Sequence, residues 1–248
     1  MDGFSLSWLF AGLVFLLAGV VKGVIGMGLP TIAMGLLSLV FAPVEAAALL
    51  VMPSLVTNVW QLLAGPSWIA PARRLWSMMA GVVVGTLLAS GVLASDVGGV
   101  ARLALGLALV AYAVIGLSGA RFSLAARHEA WASPVVGATT GFVTGATGVF
   151  VLPAVPYLQA IGLDKDDLVQ ALGLSFTVST LALAGGLLQG GGFSGASAAM
   201  SLAGLAPALA GMAIGQVVRR HIAPVTFRRV FFAGLFLLGT YLIVRQIA

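Results

Sequence analysis

The chain is 248 residues long, 60% hydrophobic and 8% charged, with a formal net charge of +5 and a mean hydropathy of +1.13. Soluble domains carry about 25% charged residues, so a water-soluble fold is excluded, and the alternating ten-residue segments of a β-barrel are absent. Cysteine is absent too, which removes disulfides, thiolate metal sites and cysteine nucleophiles.

Apolar runs near the length that crosses a bilayer, about 20 residues, lie at roughly 4–21, 27–41, 44–64, 75–95 and 98–118. A polar joint follows, Gly119 to Ala130, with Arg121, Arg127, His128 and Glu129. The pattern returns at roughly 132–147, 149–161, 166–189, 198–218 and 224–246. The expected architecture is an all-α polytopic membrane protein, with a first repeat over 1–118, a cytoplasmic joint over 119–131 and a second repeat over 132–248. Met1-Asp2-Gly3 lacks the basic n-region of a signal peptide, so no cleaved leader is expected.

The first two runs are separated by Lys22-Gly23-Val24-Ile25-Gly26-Met27-Gly28-Leu29-Pro30. A continuous membrane helix has no use for that composition. Each Gly costs about 1 kcal/mol in a helix interior and Pro about 3, and a mid-bilayer Lys costs roughly 2.5–3.5 kcal/mol on insertion scales. A helix break here would bare backbone N–H groups beside an ammonium, the composition of an anion-binding tip.

The second half repeats the order of features. Gly23-x-x-Gly26 with Pro30 is matched by Gly145-x-x-Gly148 with Pro153. An acidic joint comes next, Glu45 against Asp164, Asp166 and Asp167. Small polar residues then occupy mid-span: Ser54, Thr57 and Asn58 against Ser175, Ser179 and Thr180. Gly81-x-x-x-Gly85 pairs with Gly211-x-x-x-Gly215, and both read as helix-packing glycines.

The basic residues set the expected topology. If 4–41 and 132–161 each enter and return to one side, Arg73, Arg74, Arg121, Arg127, Lys165, Arg219, Arg220, Arg228 and Arg229 share a face. Arg102 and Arg245 alone lie toward the other. The positive-inside rule makes the first face cytoplasmic. Each half then makes an odd number of crossings, so the halves are two inverted-topology repeats, each a broken or re-entrant hairpin followed by three transmembrane helices. Both termini face outside.

The stretch from Ala18 to Gln61 resembles the opening of the TauE/SafE family of sulfite exporters and sulfonate permeases. The resemblance rests on Lys22-Gly23-x-x-Gly26-x-Gly28-x-Pro30, on Pro43-x-Glu45-Ala46, and on Pro53-x-x-x-Thr57-Asn58-x-Trp60-Gln61, with Thr144-Gly145-Ala146-Thr147-Gly148 in the second half. It implies a multi-pass carrier in the bacterial inner membrane for sulfite, sulfonates or related sulfur-containing or organic anions. Thr144 stands where the first hairpin has Lys22, so any cationic contribution is one-sided.

The candidate substrate-binding residues are therefore Lys22, Gly23, Gly26, Gly28, Ser54, Thr57, Asn58, Gln61, Thr144, Gly145, Thr147, Gly148, Ser175 and Ser179. Lys22 supplies charge, the glycines supply backbone donors, and the hydroxyls and amides offer hydrogen bonds to oxyanion oxygens. No catalytic set is present: His128 and His221 both lie in joints, and no carboxylate falls inside a span. The expected function is a secondary anion transporter working by alternating access around a midplane site. An anion-selective channel and an intramembrane enzyme are the alternatives. The expected partners are a small anion and the lipid bilayer, with no cofactor, no metal and no nucleic acid. The coupling ion stays open between a proton and sodium, and a homodimer is compatible with the chain.

Overall fold

The computed structural model describes residues 2–65, 67–95, 99–120 and 122–247. They form eleven helices and no strand: α1 (Asp2–Ile25), α2 (Leu29–Leu37), α3 (Pro43–Leu63), α4 (Ile69–Arg74), α5 (Trp76–Ser95), α6 (Val100–Ser118), α7 (Ala126–Thr147), α8 (Ala154–Ala160), α9 (Lys165–Gln189), α10 (Gly195–Val218) and α11 (Pro224–Ile247). Among the described residues, seven helices are long and apolar enough to cross a membrane: α1, α3, α5, α6, α9, α10 and α11. Helix α7 matches them in length at 22 residues but opens with Arg127, His128 and Glu129.

Both broken segments differ from expectation in the same way. A break was expected at Lys22, yet α1 continues through Lys22 and Gly23 to Ile25. The chain turns only at Gly26 (φ 78°) and Gly28 (φ 98°), a left-handed geometry that favours glycine. Helix α7 likewise runs from Ala126, six residues earlier than expected, to Thr147, and stops at Gly148 (φ 70°). Each broken segment is thus one full-length helix, about 36 Å for α1 at 1.5 Å per residue, joined to a short return arm. The arms, α2 of 9 residues and α8 of 7, cannot span a core of about 30 Å. Glu129 in the first turn of α7 accounts for the early start: its charge suits the helix N-terminus, and it takes a two-pronged bond from Arg74 at 2.7 and 2.8 Å. That bond raises the Arg74 pKa above its ordinary value.

Glycines decide which helices touch. A Cβ on Gly19 or Gly23 would collide with the carbonyls of Ala208 or Met212, and one on Gly211 or Gly215 with those of Leu16 or Val20. Residue numbers rise together along this contact, so α1 and α10 run parallel, backbone against backbone. Helices α5 and α7 meet in the same way: Gly81 and Gly85 lie on the carbonyls of Pro134 and Ala138, and Gly137, Gly141 and Gly145 on those of Met78, Val82 and Thr86. Helix α3 runs parallel to α10, joined at Leu49 and Met52 to Ser201. Helix α9 runs parallel to α5, with Gly186 and Gly190 against Ser90 and Ala94. Helices α3 and α9 cross antiparallel, and so do α6 and α11, where Gly106 meets Ile243 and Gly116 meets Phe232.

The bundle has two distinct ends. At one, Arg74 bonds Glu129 and the carbonyl of Ile161 (2.9 Å), and Leu124 N donates to Ala160 O (2.9 Å). Arg219 and Arg228 line a cavity there with Ala120. Arg121 of the joint lies outside the described residues. At the other end, Arg245 donates to Leu39 O (3.1 Å), and Gly99 lies against Gln246. Trp60, Trp68, Trp76 and Trp131 are all exposed and sit in or beside the elements that reach the arginine-rich end, as interface aromatics do.

Gly141→Val should lower the thermal unfolding midpoint of the detergent-purified protein, corresponding to at least about 3 kcal/mol, the upper part of the overpacking range. Gly12→Val, at a position with nothing within 4 Å of an added Cβ, should leave it unchanged.

Candidate functional site

The polar interior is built on α3. Pro53 sits inside that helix, where it lacks an N–H and leaves the carbonyl of Leu49, four residues back, without its helical donor. An orphan carbonyl inside a bilayer costs several kcal/mol. Ser201 of α10 repairs the gap: its hydroxyl donates to Leu49 O (2.7 Å) and accepts from Met52 N (2.9 Å). The helix therefore continues past the proline, carrying the buried Ser54 and Thr57 and bringing Asn58 and Gln61 into the crossing with α9.

Lys22, in the last turn of α1, is 4% exposed and donates from Nζ to Asn58 Oδ1. Its place at a helix C-terminus suits a positive charge. Among the described residues no carboxylate pairs with it; the ion pair found there is Arg74 with Glu129, at the bundle end. Asn58, fully buried, donates from Nδ2 to Thr180 Oγ1 of α9 (3.4 Å), and Thr180 donates to Phe176 O (2.7 Å). A chain of polar groups thus links α1, α3 and α9.

The remaining candidates divide by what their side chains do. Thr57 donates to Pro53 O (2.7 Å), Thr144 to Thr140 O (2.7 Å) and Thr147 to Val143 O (2.6 Å), so these hydroxyls are spent on their own helices. Ser54, Ser175 and Ser179 are fully buried with hydroxyls that have no partner. Ser54 and Asn58 lie four apart and share a face, as do Ser175 and Ser179 on α9. An unmet buried hydroxyl costs about 1–3 kcal/mol, so each of the three is a donor available to an anion that reaches it.

Gln61 faces another task. Its Nε2 donates to Val169 O (3.0 Å), while Gln170 Nε2 donates to Leu62 O (2.8 Å) and its Oε1 accepts from Ser67 N (3.3 Å). The two glutamines clamp the C-terminal end of α3 to the N-terminal end of α9, and Oε1 of Gln61 is left without a donor.

The glycines divide likewise. Gly23 and Gly145 lie inside α1 and α7 at helix–helix contacts. Gly26, Gly28 and Gly148 form the turns. In the first break the amides of Met27, Gly28, Leu29 and Thr31 donate to no acceptor among the described residues, and the buried Thr31 hydroxyl also lacks a partner there. In the second, Val149 N is satisfied by Thr147 Oγ1 (3.2 Å), and the amides of Phe150, Val151 and Leu152 are open. Gly148 lies beside the Met34 sulfur, so the second break touches the return arm of the first.

Sequence reading missed Ser201 and Gln170 as site-supporting residues, and left Thr180 out of the candidate set. Pro53 announces that Leu49 O needs a donor, but only the fold shows that α10 provides it. Gln170 sits among exposed first-turn acids in sequence, and its burial depends on where α3 ends.

The model of the family described as Sulfite exporter TauE/SafE matches residues 11–242. No curated protein and no solved structure matches the chain significantly.

Ser201→Ala should destabilise the protein by about 1–3 kcal/mol, the cost of leaving a buried backbone group unpaired, read as a lower unfolding midpoint. Ser197→Ala, which removes the half-buried hydroxyl that accepts from Ser194 N (2.8 Å) in the cap of the same helix, should cost about 1 kcal/mol, the size of a typical capping bond.

Proposed function

The chain belongs to the sulfite exporter TauE/SafE family of membrane transporters, and from that premise we propose that it is a secondary carrier for small sulfur-containing or organic anions, with Lys22 as the charge that selects them. One observation carries the reading: a lysine 4% exposed, in a helix long and apolar enough to span, held by the neutral amide of Asn58 and by no carboxylate. Asn58 can orient the ammonium but cannot neutralise it. An entering anion can, in surroundings where the attraction is several times stronger than in water.

Sulfite, sulfonate and carboxylate oxygens accept hydrogen bonds from the unpaired hydroxyls of Ser54, Ser175 and Ser179. The open amides of Met27, Gly28 and Leu29 follow within seven residues of Lys22 in the chain. The buried position of Lys22, Asn58 and Thr180 favours a carrier in an occluded state over an open channel.

Helix directions support inverted repeats. Taking α1 as downward, α3, α6 and α10 also run down, whereas α5, α7, α9 and α11 run up. Each helix of the first half is therefore opposite to its counterpart in the second. The rigid bodies do not coincide with the repeats. Helix α1 is locked to α10 and α10 to α3; α7 is locked to α5 and α5 to α9. We assign these two triplets as the elements that rock against each other, with Lys22 and Asn58 on one and Ser175, Ser179 and Thr180 on the other. In this reading a proton or sodium ion couples transport, the arginine-rich end is cytoplasmic, both termini lie outside, and the membrane is the bacterial inner membrane.

In proteoliposomes, Lys22→Ala should reduce sulfite or alkylsulfonate flux at least tenfold while the purified variant stays monodisperse with an unfolding midpoint no lower than the parent. Flux at the parental rate would overturn the assignment of Lys22.

A further inference from the structure

A cavity that Lys22 does not line opens at the arginine-rich end. Its volume is about 300 Å³, and an adjoining recess of about 640 Å³ shares Phe122, Gln159 and Arg228 with it. Arg219, from the C-terminal end of α10, and Arg228, from the first turns of α11, both line the inner cavity, with Gln159 as a further hydrogen-bonding group and no carboxylate. Two exposed guanidiniums lining one open cavity without an acidic partner repel each other. Neither is paired with an acid among the described residues. An oxyanion between them relieves that repulsion and matches their planar donor geometry.

The rest of the wall is apolar. Tyr112 and Phe232 pack edge to face at 5.0 Å, and the Tyr112 hydroxyl is turned onto the Met27 sulfur (3.4 Å), so the ring presents its apolar part. Val155 and Ile115 complete that side. The floor is Val24, Ile25 and Met27, the last residues before the first break. The cavity thus ends one helical turn in sequence from Lys22, where the Met27 amide has no acceptor.

We propose that this cavity is a capture site on the arginine-rich end for anions that carry an apolar body, alkyl- or arylsulfonates above bare oxyanions, held before they pass the first break to Lys22. The proposal rests on the transport reading above and adds the substrate class and the side of approach. A volume of about 300 Å³ lies within the range of small-molecule pockets, roughly 300–1,000 Å³, and far exceeds the space a bare sulfite fills. The aromatic wall has nothing to offer an ion without a tail.

The test uses full-length protein in neutral detergent, titrated with 1-butanesulfonate and, separately, with sulfite, reading the unfolding midpoint. Butanesulfonate should stabilise the parent at concentrations at least tenfold lower than sulfite. The double variant R219Q/R228Q should weaken that response at least tenfold, and R219K/R228K should retain part of it. Three results would each overturn the proposal: equal responses to the two anions, no response to either, or a response that survives R219Q/R228Q. Added phosphatidylglycerol that abolishes the butanesulfonate response at substoichiometric detergent fractions would also overturn it, reassigning the cavity to a lipid headgroup. In proteoliposomes R219Q/R228Q should raise KM from the arginine-rich side about tenfold with Vmax retained. That outcome is independent of the Lys22→Ala flux, so failure of the capture site and failure of the carrier reading are separable.

Discussion

An ammonium inside a low-dielectric bundle, tied to an amide oxygen and to no carboxylate, is the constraint around which this protein is arranged. Removing a lysine from water into the middle of a membrane costs roughly 2.5–3.5 kcal/mol even by the lenient insertion scales, and Asn58 returns only part of that through one hydrogen bond. Asn58 must in turn be held in place. Thr180 holds its far side, and the geometry of α3 holds the rest. That geometry exists because Ser201 supplies the bond that Pro53 removes. The chain of dependence from α10 through α3 to Lys22 keeps a donor-rich, cation-bearing site sealed from solvent.

Close packing of glycines sets which parts move as units. Where backbone lies on backbone, as between α1 and α10 or α5 and α7, a methyl group has no room. Such pairs gain dispersion and short-range polar contact that membrane helices otherwise lack. The α3–α9 crossing combines both kinds of contact: Gly173 lies against the Leu62 backbone, and side chains add one long bond from Asn58 to Thr180 and the reciprocal glutamines Gln61 and Gln170. Side-chain bonds of this type are modest in membranes, about 0.6–2 kcal/mol each, and can be exchanged during a motion.

Much of this was legible in the chain itself. The membrane class, the long spans α3, α5, α6, α9, α10 and α11, the polar joint and the pairing of two broken segments all follow from hydropathy runs and from Gly, Pro and Lys placement. These are local properties, set by a bilayer that acts on every segment alike. The candidate residues were drawn from the same signals. Lys22 and Asn58 do meet in the fold, and Ser54, Ser175 and Ser179 carry unpaired hydroxyls.

Contacts across the chain decided the rest. Composition could not tell that α1 runs on through Gly23, because the glycine that reads as a helix breaker is a glycine pressed against the Met212 carbonyl. Thr57, Thr144 and Thr147 look identical in sequence to the free serines, yet their hydroxyls reach their own helical carbonyls and are spent there. By itself the sequence determined where the chain must enter lipid and where a charge must be buried, since both are costs counted residue by residue. Only the tertiary structure decided which polar groups are left unpaired, because that depends on which helix lies opposite.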